Sequence, residues 1–219
     1  MKRFVLFFLV SGIAVTVFAQ VSLPEHQFAV GVWENAGDRV YQKDAAARLA
    51  KANVKVPQSG AMLYEFDVRY ESGLDDGHGG FGIHVFADKA LNRASWGVGK
   101  SWLLWLNYDT NPLKNSGIQT GLSGQIYRSI NDSTMELVYS IDLNNYVPLF
   151  TQEAAANPVF FKIYVDGDTG EVRIYDPTDP AGANYYYFTI DKKYLALKGE
   201  WVAFRTNGIS LSFAPAAGQ

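Results

Sequence analysis

The 219-residue chain contains no cysteine. Disulfides are therefore excluded, and so is the acylated cysteine that anchors bacterial lipoproteins. Only three histidines are present, His26, His78 and His84, and none has the His-x-His or His-Glu-x-x-His spacing of a metal site. A Gly-x-Ser-x-Gly elbow, a phosphate-binding loop, a Rossmann fingerprint and a zinc pattern are also missing, so no cofactor and no metal is expected. Positive charge is in deficit, with 19 Lys and Arg against 22 Asp and Glu, a formal charge of −3. Nucleic-acid affinity comes from clustered Lys and Arg, and no basic run occurs, so nucleic acid is not an expected partner. No internal repeat or low-complexity tract is present.

The longest apolar stretch, Phe4 to Val17, is shorter than the roughly 20 residues needed to span hydrocarbon. It follows Met1-Lys2-Arg3 and precedes Val17-Phe18-Ala19, the order of a secretory signal peptide with cleavage after Ala19. The mature chain, 20–219, then forms one domain with a core over about 33–213, no stable membrane anchor, and a periplasmic or surface location. Losing Lys2 and Arg3 makes it more acidic still.

Aromatic residues make up 15% of the chain, which favours strands over helices. In Met62 to Glu71, Tyr64, Phe66, Val68 and Tyr70 alternate with Glu65, Asp67, Arg69 and Glu71, a strand with one buried and one wet face. A Gly- and Asp-rich turn follows, then Phe81 to Phe86 with Phe81, Ile83 and Val85 inward, and the two suggest a hairpin. Trp102 to Tyr108 is apolar on both faces, as in a central strand or one covered by a loop or ligand. Further strands are expected at Gly124–Ser129, Met135–Ile141, Val159–Val165, Glu171–Tyr175 and Tyr185–Ile190. A closing hairpin, Trp201–Thr206 and Ile209–Phe213, is expected to turn on Asn207-Gly208. Asp44 to Asn53 and Asn144 to Asn157 read as short helices or irregular passages. The sum is an all-β, antiparallel two-sheet sandwich of jelly-roll type with short helical or irregular insertions. Strands shorter than the roughly 9 to 11 residues of a spanning strand argue against a membrane barrel.

Trp33, Gly37, Val40 and Gln42, then Tyr64 to Arg69, Gly79 to Val85 and Trp201 to Gly208 resemble the concanavalin A-like lectin and glucanase superfamily, especially its laminin-G-like bacterial domains. The resemblance implies two curved sheets and a face that in relatives often binds glycans. Its glycanases use strand-borne Glu-x-Asp-x-Glu or Glu-x-Asp-x-x-Glu carboxylates, against which Glu65, Asp67 and Glu71 stand in the wrong spacing. Asp67 and Glu71 are four strand positions, roughly 13 Å, apart, against the roughly 5 to 5.5 Å of retaining chemistry.

The richest aromatic region is Trp96, Trp102, Trp105 and Tyr108, followed by Asp109. Indole and phenol faces stack on sugar C–H faces and a carboxylate accepts hydroxyls, so these five are the candidate ligand-binding residues. Trp102 and Tyr108 share one strand face, Trp105 and Asn107 the other. Asp166-Gly-Asp168-Thr-Gly170-Glu171 and Asp75 to Gly80 read as turns before they read as cation loops. The leading expectation is an exported, non-catalytic glycan-binding protein. A structural component of a periplasmic or surface assembly such as a flagellar sheath, holding a partner protein, comes second, and a glycoside hydrolase third. Intact-mass and N-terminal analysis of exported protein should find Gln20 as the first residue; a chain retaining Met1 would contradict the leader.

Overall fold

The computed structural model describes residues 23–144, 157–179 and 181–215. The expected leader, and residues 145–156 of the second irregular passage, lie outside them. The strands are β1 (His26–Val30), β2 (Trp33–Ala36), β3 (Arg39–Gln42), β4 (Ala50–Ser59), β5 (Ala61–Gly73), β6 (His78–Ala87), β7 (Ser101–Asp109), β8 (Gly121–Ser129), β9 (Met135–Asp142), β10 (Val159–Asp166), β11 (Glu171–Tyr175), β12 (Tyr185–Thr189), β13 (Lys198–Asn207) and β14 (Ile209–Pro215). They form two seven-stranded antiparallel sheets, ordered β1-β4-β13-β6-β7-β8-β9 and β12-β11-β10-β5-β14-β3-β2.

The period-2 pattern explains how the sheets meet. Tyr64, Phe66 and Val68 of β5 and Phe81, Ile83 and Val85 of β6 are buried between the layers, while Glu65, Asp67, Arg69 and Glu71 line the outside. Aromatic rings fill the middle: Phe66 stacks on Phe161 at 5.7 Å and meets Phe204 edge-on at 5.4 Å. Each fully buried side chain of this size contributes about 1.5–3 kcal/mol, so the core can do without disulfides.

Two expected hairpins are instead corners between the sheets. β5 belongs to the second sheet and β6 to the first; likewise β13 lies between β4 and β6, whereas β14 lies between β5 and β3. The Asn207-Gly208 turn exists, with Gly208 at φ +66°, but turn chemistry sets the reversal and leaves the pairing partner to the ladders. The two corners pack on each other, since Leu74 N–H donates to Gly208 O at 3.0 Å, and the turn before β4 packs on the second, where Gly208 N–H donates to Ala47 O at 3.1 Å. Asp44–Asn53 is a turn running into β4, whose Ala50, Ala52 and Val54 are buried in the ladder with β13. Tertiary pairing overrides its helix propensity. Strand length also fails as an argument against a barrel, since β5 has 13 residues; two separate sheets around an aromatic interior make the distinction.

Gly73 sits at φ +112°, and a Cβ there would lie 2.8 Å from Gly208 O and 2.9 Å from Ile209 Cα. Gly73→Ala should cost about 2–3 kcal/mol in urea unfolding; an unchanged midpoint would contradict the packed corners.

Candidate functional site

Alternation along β7 sends Trp102, Leu104 and Leu106 into the inter-sheet core and Leu103, Trp105 and Asn107 to the outside of the first sheet. Cross-strand partners share a face, so the ladders identify its neighbours. One row runs Lys51, Arg205, Gly82, Trp105, Gln125 and Ser140. The flanking rows carry Asn53, Ala203, His84, Leu103 and Tyr127 on one side, and Asn207, Gly80, Asn107 and Ser123 on the other. This outer face is thus polar and amide-rich.

The β6–β7 loop, residues 88–100, is fastened across part of it. Asn53 Nδ2 donates to Leu91 O at 3.1 Å, Lys51 Nζ to Ser95 O, and Arg205 Nη1 to Trp96 O at 2.5 Å. Ser129 Oγ donates to Gly99 O at 2.9 Å and accepts from Val98 N–H at 3.1 Å. The Arg205 guanidinium lies 5.3 Å from the Trp96 ring and 5.1 Å from the Trp105 ring. It reaches Trp105 across Gly82, which has no side chain to intervene in the ladder. Two desolvated cation–π contacts are each worth up to about 2 kcal/mol. They hold Trp96, 59% exposed, at the surface beside the amide-rich rows.

Among the described residues, the cations beneath the loop have no carboxylate hydrogen-bond partner. Burial lowers the Lys51 pKa to about 7, with the Arg205 charge adding to the effect, and burial brings Arg205 down to about 10. His84 is held well below its usual range by burial, then by Arg205 and Lys51; its Nδ1 is 2.9 Å from Ser101 Oγ. Among the described residues, His84 Nε2, Arg205 Nε and Asn53 Oδ1 have no hydrogen-bond partner.

The five expected ligand residues separate. Trp96 and Trp105 belong to this face, but Trp105 is 8% exposed and its Nε1–H donates to Asn107 Oδ1 at 3.0 Å, so it is corrected to a buried residue and of the pair only Trp96 presents its ring to solvent. Trp102, only 4% exposed, packs in the core, edge-on to Tyr194 at 6.0 Å, and is corrected from a stacking residue to a core residue. Two tryptophans three positions apart on a strand must point oppositely. Tyr108 has the inward parity of Trp102 and is half-buried. Asp109 ends the strand on the outer side, and its Oδ1 accepts from Asn111 N–H at 2.9 Å, closing the turn. Lys51, Arg205, Gln125 and Tyr127 were missed. The signal for one of them was there: Arg205 is a lone charge in the apolar run Trp201-Val202-Ala203-Phe204-Arg205.

Glu65, Asp67 and Glu71 lie outside the second sheet, where Arg69 Nε donates to Glu71 Oε1 at 2.9 Å and Lys162 Nζ is 3.9 Å from Glu65 Oε1. That is a charged outer face, as their spacing indicated. Asp166 Oδ1 accepts from the N–H groups of Asp168 and Thr169 at 2.8 and 3.1 Å, which is turn chemistry. A cavity of about 370 Å³ opens between the sheets, walled by Leu104, Ile126, Phe161, Ile174 and Phe188. Its walls are almost wholly hydrocarbon and aromatic, so it offers sugar hydroxyls little to bond.

No family model and no curated protein matches the chain. Solved structures do. A carbohydrate-binding module, CBM66 from Bacillus subtilis, superposes with TM-score 0.53 at 11% identity, over 88% of this chain and 94% of that one. A legume lectin-like domain from Entamoeba histolytica gives 0.55 at 11%, over 93% and 96%. The exoplasmic/lumenal domain of VIP36 in its Ca²⁺/Man3GlcNAc-bound form gives 0.53 at 8%, over 89% and 84%. The fold is that of the concanavalin A-like lectins and glucanases. Identities this low carry the architecture alone.

Lys51 supplies a test of the buried cations. Below pH 7 it is charged in both folded and unfolded chains. Between its folded pKa of about 7 and its ordinary 10.5, only the unfolded chain holds the proton, so stability rises with pH. The shift corresponds to a penalty on the order of 5 kcal/mol. Relative to Lys51→Met, the wild type should gain stability steadily from pH 7 to 10 in urea unfolding; a constant difference would contradict the assignment.

Proposed function

We propose that this chain is an exported, non-catalytic glycan-binding protein whose ligand lies on the outer face of its first sheet. One observation carries the reading: Trp96, 59% exposed, is held over Arg205 and Trp105 beside rows of amide and hydroxyl side chains. A rigid, solvent-facing indole is a stacking surface for a sugar ring, and the half-buried Tyr127, whose hydroxyl donates to the buried Gln125 Oε1 at 2.7 Å, keeps acceptor capacity for a sugar hydroxyl. The neighbours support it, because one is a carbohydrate-binding module and another holds Man3GlcNAc. Export rests on the leader sequence.

A second reading, a structural component that binds a partner protein, draws on Tyr185 and Tyr187, which are exposed at the uncharged edge strand β12. Edge strands without charge invite pairing with another chain. Light scattering on a sizing column separates the two, since a stable oligomer dissociated by Tyr187→Lys would favour assembly.

On a glycan array and in affinity gels the protein should bind saccharide. Trp96→Ala should weaken binding at least ~10-fold, about 1.4 kcal/mol, while the protein stays folded and loses no more than the roughly 2 kcal/mol of one cation–π contact. Trp102→Ala should instead cost about 3–5 kcal/mol of stability. Absence of binding to any saccharide, or full affinity in Trp96→Ala, would overturn the reading.

A further inference from the structure

The chain is acidic overall, yet the fold gathers cations around Trp96. Lys89 Nζ and Arg93 Nη2 both donate to one oxygen, Asp132 Oδ2, at 2.9 and 3.1 Å. Their side chains are 50% and 63% exposed. The same aspartate ties them to the platform, because its backbone carbonyl accepts from Gly97 N–H at 3.0 Å, next to Trp96, and its Oδ1 accepts from Gly99 N–H at 3.0 Å. Burial opposes ionisation of Asp132, but the bonds from Lys89 and Gly99 and the nearby charges hold its carboxyl below the usual range. It is therefore one negative charge shared by two cations.

Beneath the loop, Lys51 and Arg205 donate to the carbonyls of Ser95 and Trp96 and, among the described residues, to no carboxylate. Arg205, Arg93 and Asp132 all act electrostatically on Lys51, so the upper and lower groups belong to one cluster. The loop's remaining charges, Asp88 and Lys100, are one of each sign, and Asp88 Oδ1 accepts from the Lys100 backbone N–H at 3.0 Å. Positive charge is thus in excess at the edge of an exposed indole, and a polar atom of Arg205, Nε, is left without a partner among the described residues.

Resting on the glycan-binding reading, we propose that the Trp96 platform selects acidic sugars, the hexuronate class, with Arg93 and Lys89 receiving the carboxylate. The ring stacks on Trp96 while its planar carboxylate meets the guanidinium fork of Arg93, a bidentate match that a neutral hydroxymethyl group does not offer. Lys89 adds a point charge. The buried Arg205 raises the local potential without touching the ligand, Lys51 adds to it as pH falls below about 7, and both hold the loop in place.

Calorimetry with hexuronate oligosaccharides (galacturonate, glucuronate and mannuronate) and their methyl esters isolates the charge, since acid and ester share the same rings. The acid form of at least one series should bind ~10-fold or more tighter than its ester. Its advantage should fall as NaCl rises from about 50 to about 500 mM. Arg93→Gln combined with Lys89→Gln should abolish the acid preference and leave ester binding in place, in a protein that stays folded with a lowered unfolding midpoint, because Asp132, only 15% exposed, loses both cationic partners. Equal affinity for acid and ester, or an acid preference that survives in the double variant, would overturn the proposal. So would Trp96-dependent binding of neutral saccharides with no hexuronate bound, a result that leaves the glycan-binding reading standing. No binding of any saccharide would remove both.

Discussion

The outer face of the first sheet depends on how a single guanidinium is accommodated. Arg205 is nearly sealed from water and, among the described residues, pairs with no carboxylate, so its charge is met by the Trp96 carbonyl and two indole faces. A buried, uncompensated cation is costly, and two cation–π contacts with a charge-assisted hydrogen bond offset part of that cost. The consequence is positional. The loop over residues 88–100 cannot leave without exposing the stack, and Trp96 cannot leave the loop. An exposed aromatic that would otherwise sample many rotamers is instead pre-oriented, which reduces the entropy lost when a ring docks on it.

That stack depends in turn on residues far away in sequence. Trp105 and Arg205 sit on strands separated by β6, and they meet because position 82 is glycine; a Cβ there would be 2.0 Å from Leu104 O. β6 is brought between β7 and β13 by corners at residues 73–78 and 207–209 that pass the chain from one sheet to the other. The same corners supply the lectin-type architecture, so fold and platform share one set of constraints.

Much of the fold was legible locally. The alternation of Tyr64, Phe66 and Val68 with Glu65, Asp67 and Arg69 gave the buried and wet faces of β5 directly, and Trp102 to Tyr108 declared a strand covered on both sides. β4 was hidden because Ala50, Ala52, Lys51 and Lys55 are helix formers whose strand pattern has little hydrophobic contrast. The two corners read as hairpins because a turn motif does not encode which sheet receives the next strand. Within the site, the opposition of Trp102 and Trp105 was visible, whereas the choice of the outward one depends on where the second sheet packs. Arg205, Lys51 and Asp132 acquire their roles through contacts spanning much of the chain, such as the 109 positions between Arg205 and Trp96, and no local pattern reports those.

The central claim is that saccharide meets the first sheet's outer face at Trp96. The five tryptophan side chains give five indole N–H resonances, which can be assigned by single substitution and followed as oligosaccharide is added. The account predicts that the Trp96 resonance shifts most, that Trp105 follows through the shared guanidinium, and that Trp102 stays fixed. A shift centred on Trp33 or Trp201, or saturable binding that leaves Trp96 unmoved, would contradict it.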